Sequence, residues 1–214
     1  MNTDPDLSFD KKITTIEQLE AIIGEPGKLA INKVIPVLDG HCRTFISKSP
    51  FLVMSTSDEK GRGDASPRGD YPGFVHVLNE KTLVIPERPG NKRVDSMRNL
   101  LFNPGIGLLF FIPGLGETLR VNGKAQLIQD EEILSQLAFK GKEPLLAIAV
   151  EVEECFIHCA KAFRRSGLWN PETWPAGHEL PSAAKMLIEH TKIDDHTTEQ
   201  MTQRLEDGYI NRLY

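Results

Sequence analysis

Between residues 51 and 152, short apolar runs alternate with turn residues at hairpin spacing, and this pattern most constrains the fold. The stretch FLVMST reads as a buried strand over 51–56. A polar turn around Asp58 to Gly63 follows, then a second strand near 64–68. FVHVLNEKTLVIPE reads as another hairpin, with strands at 74–78 and 82–85 joined by Asn79-Glu80-Lys81. GIGLLFFI is a continuous apolar strand, and TLRVNGKAQLI turns Leu119 and Val121 inward against Arg120 and Asn122 outward. LLAIAVEV is a last buried strand. Parallel strands need long, usually helical, crossovers, whereas most of these connections are turns, so the strands pair antiparallel. The pattern predicts a mainly β protein with flanking α-helices, its six or seven mostly antiparallel strands closed as a barrel.

Helical patterns flank and interrupt the strands. ITTIEQLEAII, residues 13–23, lines up Ile16, Leu19, Ile22 and Ile23 between a Thr14 or Thr15 cap and Gly24. A second helix is predicted over 28–35, ended by Pro36, with Asp39-Gly40 as a turn. A third opens at Lys92 and Arg93, shares a face among Val94, Met97 and Leu101, and stops at Asn103-Pro104. EEILSQLAF is a short helix. CFIHCAKAFRRSGLW is read as a helix packed through Phe156, Cys159, Ala160 and Phe163. These readings divide the chain into a helical extension (1–34), a barrel (35–165) and a C-terminal arm or lid (166–214) that packs on the barrel or on a dimer partner.

Composition narrows the function classes. A net charge of −5 argues against a protein that coats nucleic acid, because that affinity needs many cations on phosphates. No run of about 18 apolar residues predicts a membrane span, and the first ten residues lack the basic and apolar regions of a secretion signal. A cytoplasmic protein is expected. The cysteines Cys42, Cys155 and Cys159 are odd in number, so reduced thiols are favoured over a disulfide framework. CxxxC spacing with His158 and His41 also favours buried thiols over zinc, and no metal is expected.

The cations near residue 92 pose the sharpest question. Lys92 and Arg93 have the wrong sign for a helix N-terminus, where free N–H groups and the macrodipole favour anions. With Arg88 and Arg98 they fit the solvated side of a helix. Composition alone favours that reading, and what raises a phosphate site beside it is Gly90, which lets backbone N–H groups approach a ligand, and an anion's fit to both the cations and the free helix N–H groups. Neither a P-loop nor a dinucleotide fingerprint is present, which leaves recognition by side chains. No GxSxG, HExxH or Cys/His nucleophile signature supports a hydrolase.

The blocks SPRGD, RPGNKR, ETLRVNG and CAKAFRRSGLW, in that order, resemble the FMN-binding split β-barrel of pyridoxamine 5'-phosphate oxidase-like flavoproteins over roughly residues 35–165. The resemblance implies a homodimer with FMN in clefts between subunits. It implies that Asn91, Lys92 and Arg93 hold the phosphate, that Ser66, Pro67, Arg68 and Gly69 run along the ring and ribityl chain, and that Thr118 and Arg120 border the flavin from a neighbouring strand or subunit. Lys161, Arg164, Arg165 and Trp169 then shape a pocket from the partner subunit, or else belong to a dimer-packing helix. True pyridoxamine phosphate oxidases carry a C-terminal Arg-x-His, whereas this chain ends GYINRLY, so another small molecule is expected as substrate. The implied function is a flavin-dependent oxidoreductase. Its alternatives are a sensor or carrier without turnover, or the same fold holding a deazaflavin or haem.

Overall fold

The computed structural model describes residues 9–192 and 196–214, and the chain divides into two compact units, residues 1–34 and 35–214. The first unit contains α1 (Ile16–Ile23), capped by the Thr15 hydroxyl, and α2 (Lys28–Asn32). The predicted second helix is thus shorter than expected. It ends before Ile35, whose backbone is extended and exchanges two hydrogen bonds with Cys155.

The second unit opens with α3 (Gly40–Lys48), where a turn was expected at Asp39-Gly40. The turn residue Asp39 acts instead as an N-cap, its carboxylate accepting the Cys42 N–H at 2.8 Å. Seven strands follow: β1 (Phe51–Ser57), β2 (Gly63–Gly69), β3 (His76–Val77), β4 (Thr82–Pro86), β5 (Gly105–Phe111), β6 (Thr118–Ile128) and β7 (Ala147–His158). They form one antiparallel sheet in the order β2-β1-β5-β6-β7-β4-β3. Leu52, Met54, Leu108, Phe110, Leu119, Val121, Ile148 and Val150 are buried within it, so the predicted mainly β barrel with flanking helices is what the chain forms.

Three expectations change. The CFIH segment continues β7 rather than starting a helix: Cys155 lies opposite Val121 and Ile157 opposite Leu119, so β6 satisfies backbone groups that a helix would have paired internally. The helix α6 begins only at Lys161 and runs to Ser166, and Cys159 is exposed. The helix α4 (Asp95–Phe102) begins after the cations, with Asp95 giving its first turn the favoured sign; Met97 and Leu100 are buried, while Val94 and Leu101 are exposed. The expected hairpin forms, β3 pairing with β4, but its first strand, expected at 74–78, shortens to His76–Val77, although Phe74 and Val75 are core residues. Beyond α5 (Glu131–Gln136), the C-terminal residues contain α7 (Ala183–Thr191) and α8 (Thr198–Asn211). Among the described residues no helix is long and apolar enough to cross a membrane, and no group of three or more His, Cys, Asp or Glu could hold a metal.

Candidate functional site

The site grows from the edge strand β2. Its burial alternates, with Asp64, Ser66 and Arg68 half-buried on one side and Ala65, Pro67 and Gly69 exposed on the other. Register assigns the faces: Ser66 lies opposite Met54 and Arg68 opposite Leu52, both core residues, so Ser66 and Arg68 point to the core side. Strand β2 is not hydrogen-bonded to β4, and two ion pairs link the end of β2 and the residue after it to the residues that follow β4. Arg68 donates to Glu87 at 2.5 Å, and Arg88 donates to the fully buried Asp70 carboxylate at 2.6 Å. Arg88 also donates to the Leu137 carbonyl at 3.0 Å, so it serves the seam and is not a free cation. The Arg68 Nε is buried and lacks an acceptor among the described residues. Burial pushes the Glu87 carboxyl up, and Arg68 offsets this only in part.

Helix α4 is fastened to the same side of β2. Ser96 donates to Asp64 at 2.6 Å, and Asn99 donates to Thr56 at 3.0 Å. Its N-cap, Val94, has no side chain able to cap, which leaves the helix-start N–H groups without a capping side chain. Val94 and Lys92 both hold left-handed backbone, at φ 54° and 62°, a strained state for non-glycine residues. The Asn91 side chain accepts the Arg93 N–H at 3.0 Å and shapes this loop. Arg93 is exposed and paired with Asp95 at 2.7 Å, while Lys92 has no ion-pair partner among the described residues. The structure thus gathers Ser66, Arg68, Asn91, Lys92 and Arg93 around β2 and the start of α4.

Thr118 and Arg120 fall elsewhere. Pro67, Val53, Leu109, Arg120 and Phe156 form one cross-strand row on the opposite face, and Thr118 shares that face. Arg120 lies over the Phe156 ring at 5.5 Å and donates to Asn122 at 3.1 Å. Rings continue along this face from Phe51 to Phe111, Phe163 and Trp169, each step 5.7 to 5.8 Å. Trp169 donates its indole N–H to Leu115 at 2.8 Å, and with Phe163, Arg164 and Gly116 it lines a groove of about 310 Å³. Lys161, Arg164 and Arg165 are exposed. A larger groove, about 500 Å³, lies among Thr82, Lys124 and Glu151 and includes none of the predicted residues.

The seam has a further member that no sequence signal announced. Tyr214 donates its hydroxyl to the Asp70 carboxylate at 2.7 Å, and its ring meets Phe139, which stacks on Tyr71 at 4.5 Å. Asp64 and Glu87 were also missed. The period-two spacing of Asp64 with Ser66 and Arg68 was the available signal for the first.

An antiparallel barrel split along one seam, with a basic loop and an uncapped helix beside the edge strand, defines the class of split-barrel proteins. The family model for pyridoxamine 5'-phosphate oxidase matches residues 38–159, more than half of the chain, and the chain belongs to that family. No curated protein matches it in sequence. Similar solved structures include tagged HupZ of Group A Streptococcus, at 17% identity over 56% of this chain and 92% of that one, with a TM-score of 0.47. Others are an FMN-binding protein from Syntrophomonas wolfei subsp. wolfei, at 12% over 55% and 88% with 0.42, and a protein related to general stress protein 26 from Clostridium acetobutylicum, at 15% over 55% and 85% with 0.40.

Proposed function

We propose that the chain binds FMN at the β2–α4 site and acts as a flavin-dependent oxidoreductase on a small molecule. The observation that carries this reading is the combination, in a chain of this family, of a lysine without an ion-pair partner among the described residues, an uncapped α4 start and, on the neighbouring strand β2, a guanidinium N–H without an acceptor among them. The residues fit the group. A phosphate dianion at the 91–93 loop accepts from Lys92 and Arg93 and from the open α4 N–H groups. The Arg68 Nε supplies a donor for a polar edge of the ring or ribityl chain, and Ser66 a second hydroxyl contact. Bound FMN supplies the electron transfer itself. The protein's part is to anchor the phosphate, orient the ring along β2 and keep Arg68 in place through Glu87 and the seam.

The Thr118 and Arg120 face reaches the same cofactor from a partner subunit in the proposed homodimer. There the α6 groove, with Arg164 and Trp169, forms the substrate side. A cytoplasmic location belongs to the same proposal.

The test begins with the visible spectrum of the purified protein and the mass of any chromophore released by heat. Flavin bands and the mass of FMN are expected. A deazaflavin or a haem would replace the cofactor assignment, and a colourless protein that refuses added FMN would end it. Replacing both cations, Lys92→Ala with Arg93→Ala, is expected to weaken FMN binding about tenfold to a hundredfold, the loss of about 1.5 to 3 kcal/mol for charge-assisted bonds. Unchanged affinity would move the phosphate elsewhere. Reduction of the loaded protein by NADH or NADPH, followed by reoxidation, separates an oxidoreductase from a carrier without turnover.

A further inference from the structure

Two cysteines outside this site are brought almost into contact by the fold. Cys42, in the first turn of α3, and Cys155, in β7, lie 113 positions apart in sequence, yet their sulfurs are 3.2 Å apart with the Cys155 S–H directed to Cys42. Cys155 is fully buried and Cys42 is 7% exposed, so the pair sits inside the core and opens to solvent only at Cys42. A disulfide needs a sulfur separation of about 2.0 Å, so the two sulfurs must close by about 1 Å. Strand β7 stays fixed, because the backbone of Cys155 is bonded to Ile35. We propose that Cys42 and Cys155 form a reversible intramolecular disulfide when the protein meets hydrogen peroxide.

The roles follow from position. Cys42 receives the Cys155 S–H, which lowers its pKa against the opposing effects of burial and the neighbouring Asp39 carboxylate, whereas the hydrogen bond to Cys42 and burial push Cys155 up. Cys42 is therefore the attacking sulfur and Cys155 the resolving one. The Cys42 thiolate attacks one peroxide oxygen, the O–O bond breaks, and the departing hydroxide takes a proton to become water. Cys42 is left as a sulfenic acid. The Cys155 sulfur displaces its hydroxyl, which leaves as a second water with the Cys155 proton. Two thiols lose two electrons and one peroxide becomes two waters.

Exposed Cys159 is the internal control. In full-length protein carrying Cys159→Ser, two thiols remain. After peroxide, acid quench, denaturation and alkylation without reductant, intact mass is expected to show no label and the loss of two hydrogens. Dithiothreitol should restore both labels. Peptide mapping of unsubstituted protein, which does not depend on any variant folding, is expected to show the Cys42–Cys155 linked peptide. Two labels after peroxide, added oxygen atoms in place of lost hydrogens, or a link through Cys159 in the unsubstituted chain would each overturn the proposal.

Discussion

Single residues decide where the backbone can bend and which charges the core tolerates. Gly123 sits at the bulge in the β6–β7 pairing, and a Cβ there would collide with the Glu151 carbonyl. Gly123→Ala is expected to cost about 1 to 3 kcal/mol as the two strands are forced apart, read as a lower urea midpoint with an unchanged slope. His76 on β3 behaves differently. Burial, and then the Arg88 charge, hold its pKa below the ordinary histidine value. The unfolded chain therefore binds a proton that the folded chain refuses as pH falls below about 6.5, so stability drops from there down to the depressed folded pKa. His76→Gln is expected to flatten that part of the melting-temperature profile between about pH 7 and 5. An unchanged slope would assign the acid sensitivity to other groups.

At the scale of elements, the seam between β2 and β4 is held by side chains where other strand neighbours are held by ladders. Arg88→Ala leaves the Asp70 carboxylate buried with the Tyr214 hydroxyl and the Tyr71 N–H as its donors among the described residues, and breaking a buried pair in this way costs about 3 kcal/mol. Tyr214→Phe removes one hydrogen bond to that carboxylate and is expected to cost about 1 kcal/mol. The readout that distinguishes the tail's role is proteolysis. Faster cleavage after α8 in Tyr214→Phe, with little change in global melting, is expected if Tyr214 is the tie that holds the segment down.

At the scale of the whole molecule, the opposite sheet face carries half-buried Val53, Leu109 and Phe111 beside exposed Phe51, an apolar band of the kind that subunit interfaces use. Leu109→Glu keeps the core side of β5 intact and places a charge in this band. It is expected to turn the proposed homodimer into a monomer in light scattering and to weaken FMN binding with it. A dimer that survives Leu109→Glu would assign the interface to another face.

Much of this was legible in the chain because it rests on local rules. Short apolar runs between turn residues announced β1, β4, β5 and β7, alternation announced β6, and the resemblance carried by ordered blocks anticipated the family. Local signals failed where a long-range partner outweighed them. Phe156 and Ile157 fit a helix by pattern, but pairing with β6 claims their backbone. Asp39 and Gly40 look like a turn, and Asp39 caps a helix. Lys92 and Arg93 seemed to open α4, yet the chain spends two left-handed residues before Asp95 begins it. The sequence by itself determined the strand content and the basic loop, because hydrophobic period and turn chemistry act over a few residues. Only the tertiary structure decided that Arg68 meets Glu87, that Arg88 and Tyr214 share Asp70, and that Cys42 faces Cys155, because those contacts depend on which distant strands the barrel closure brings together.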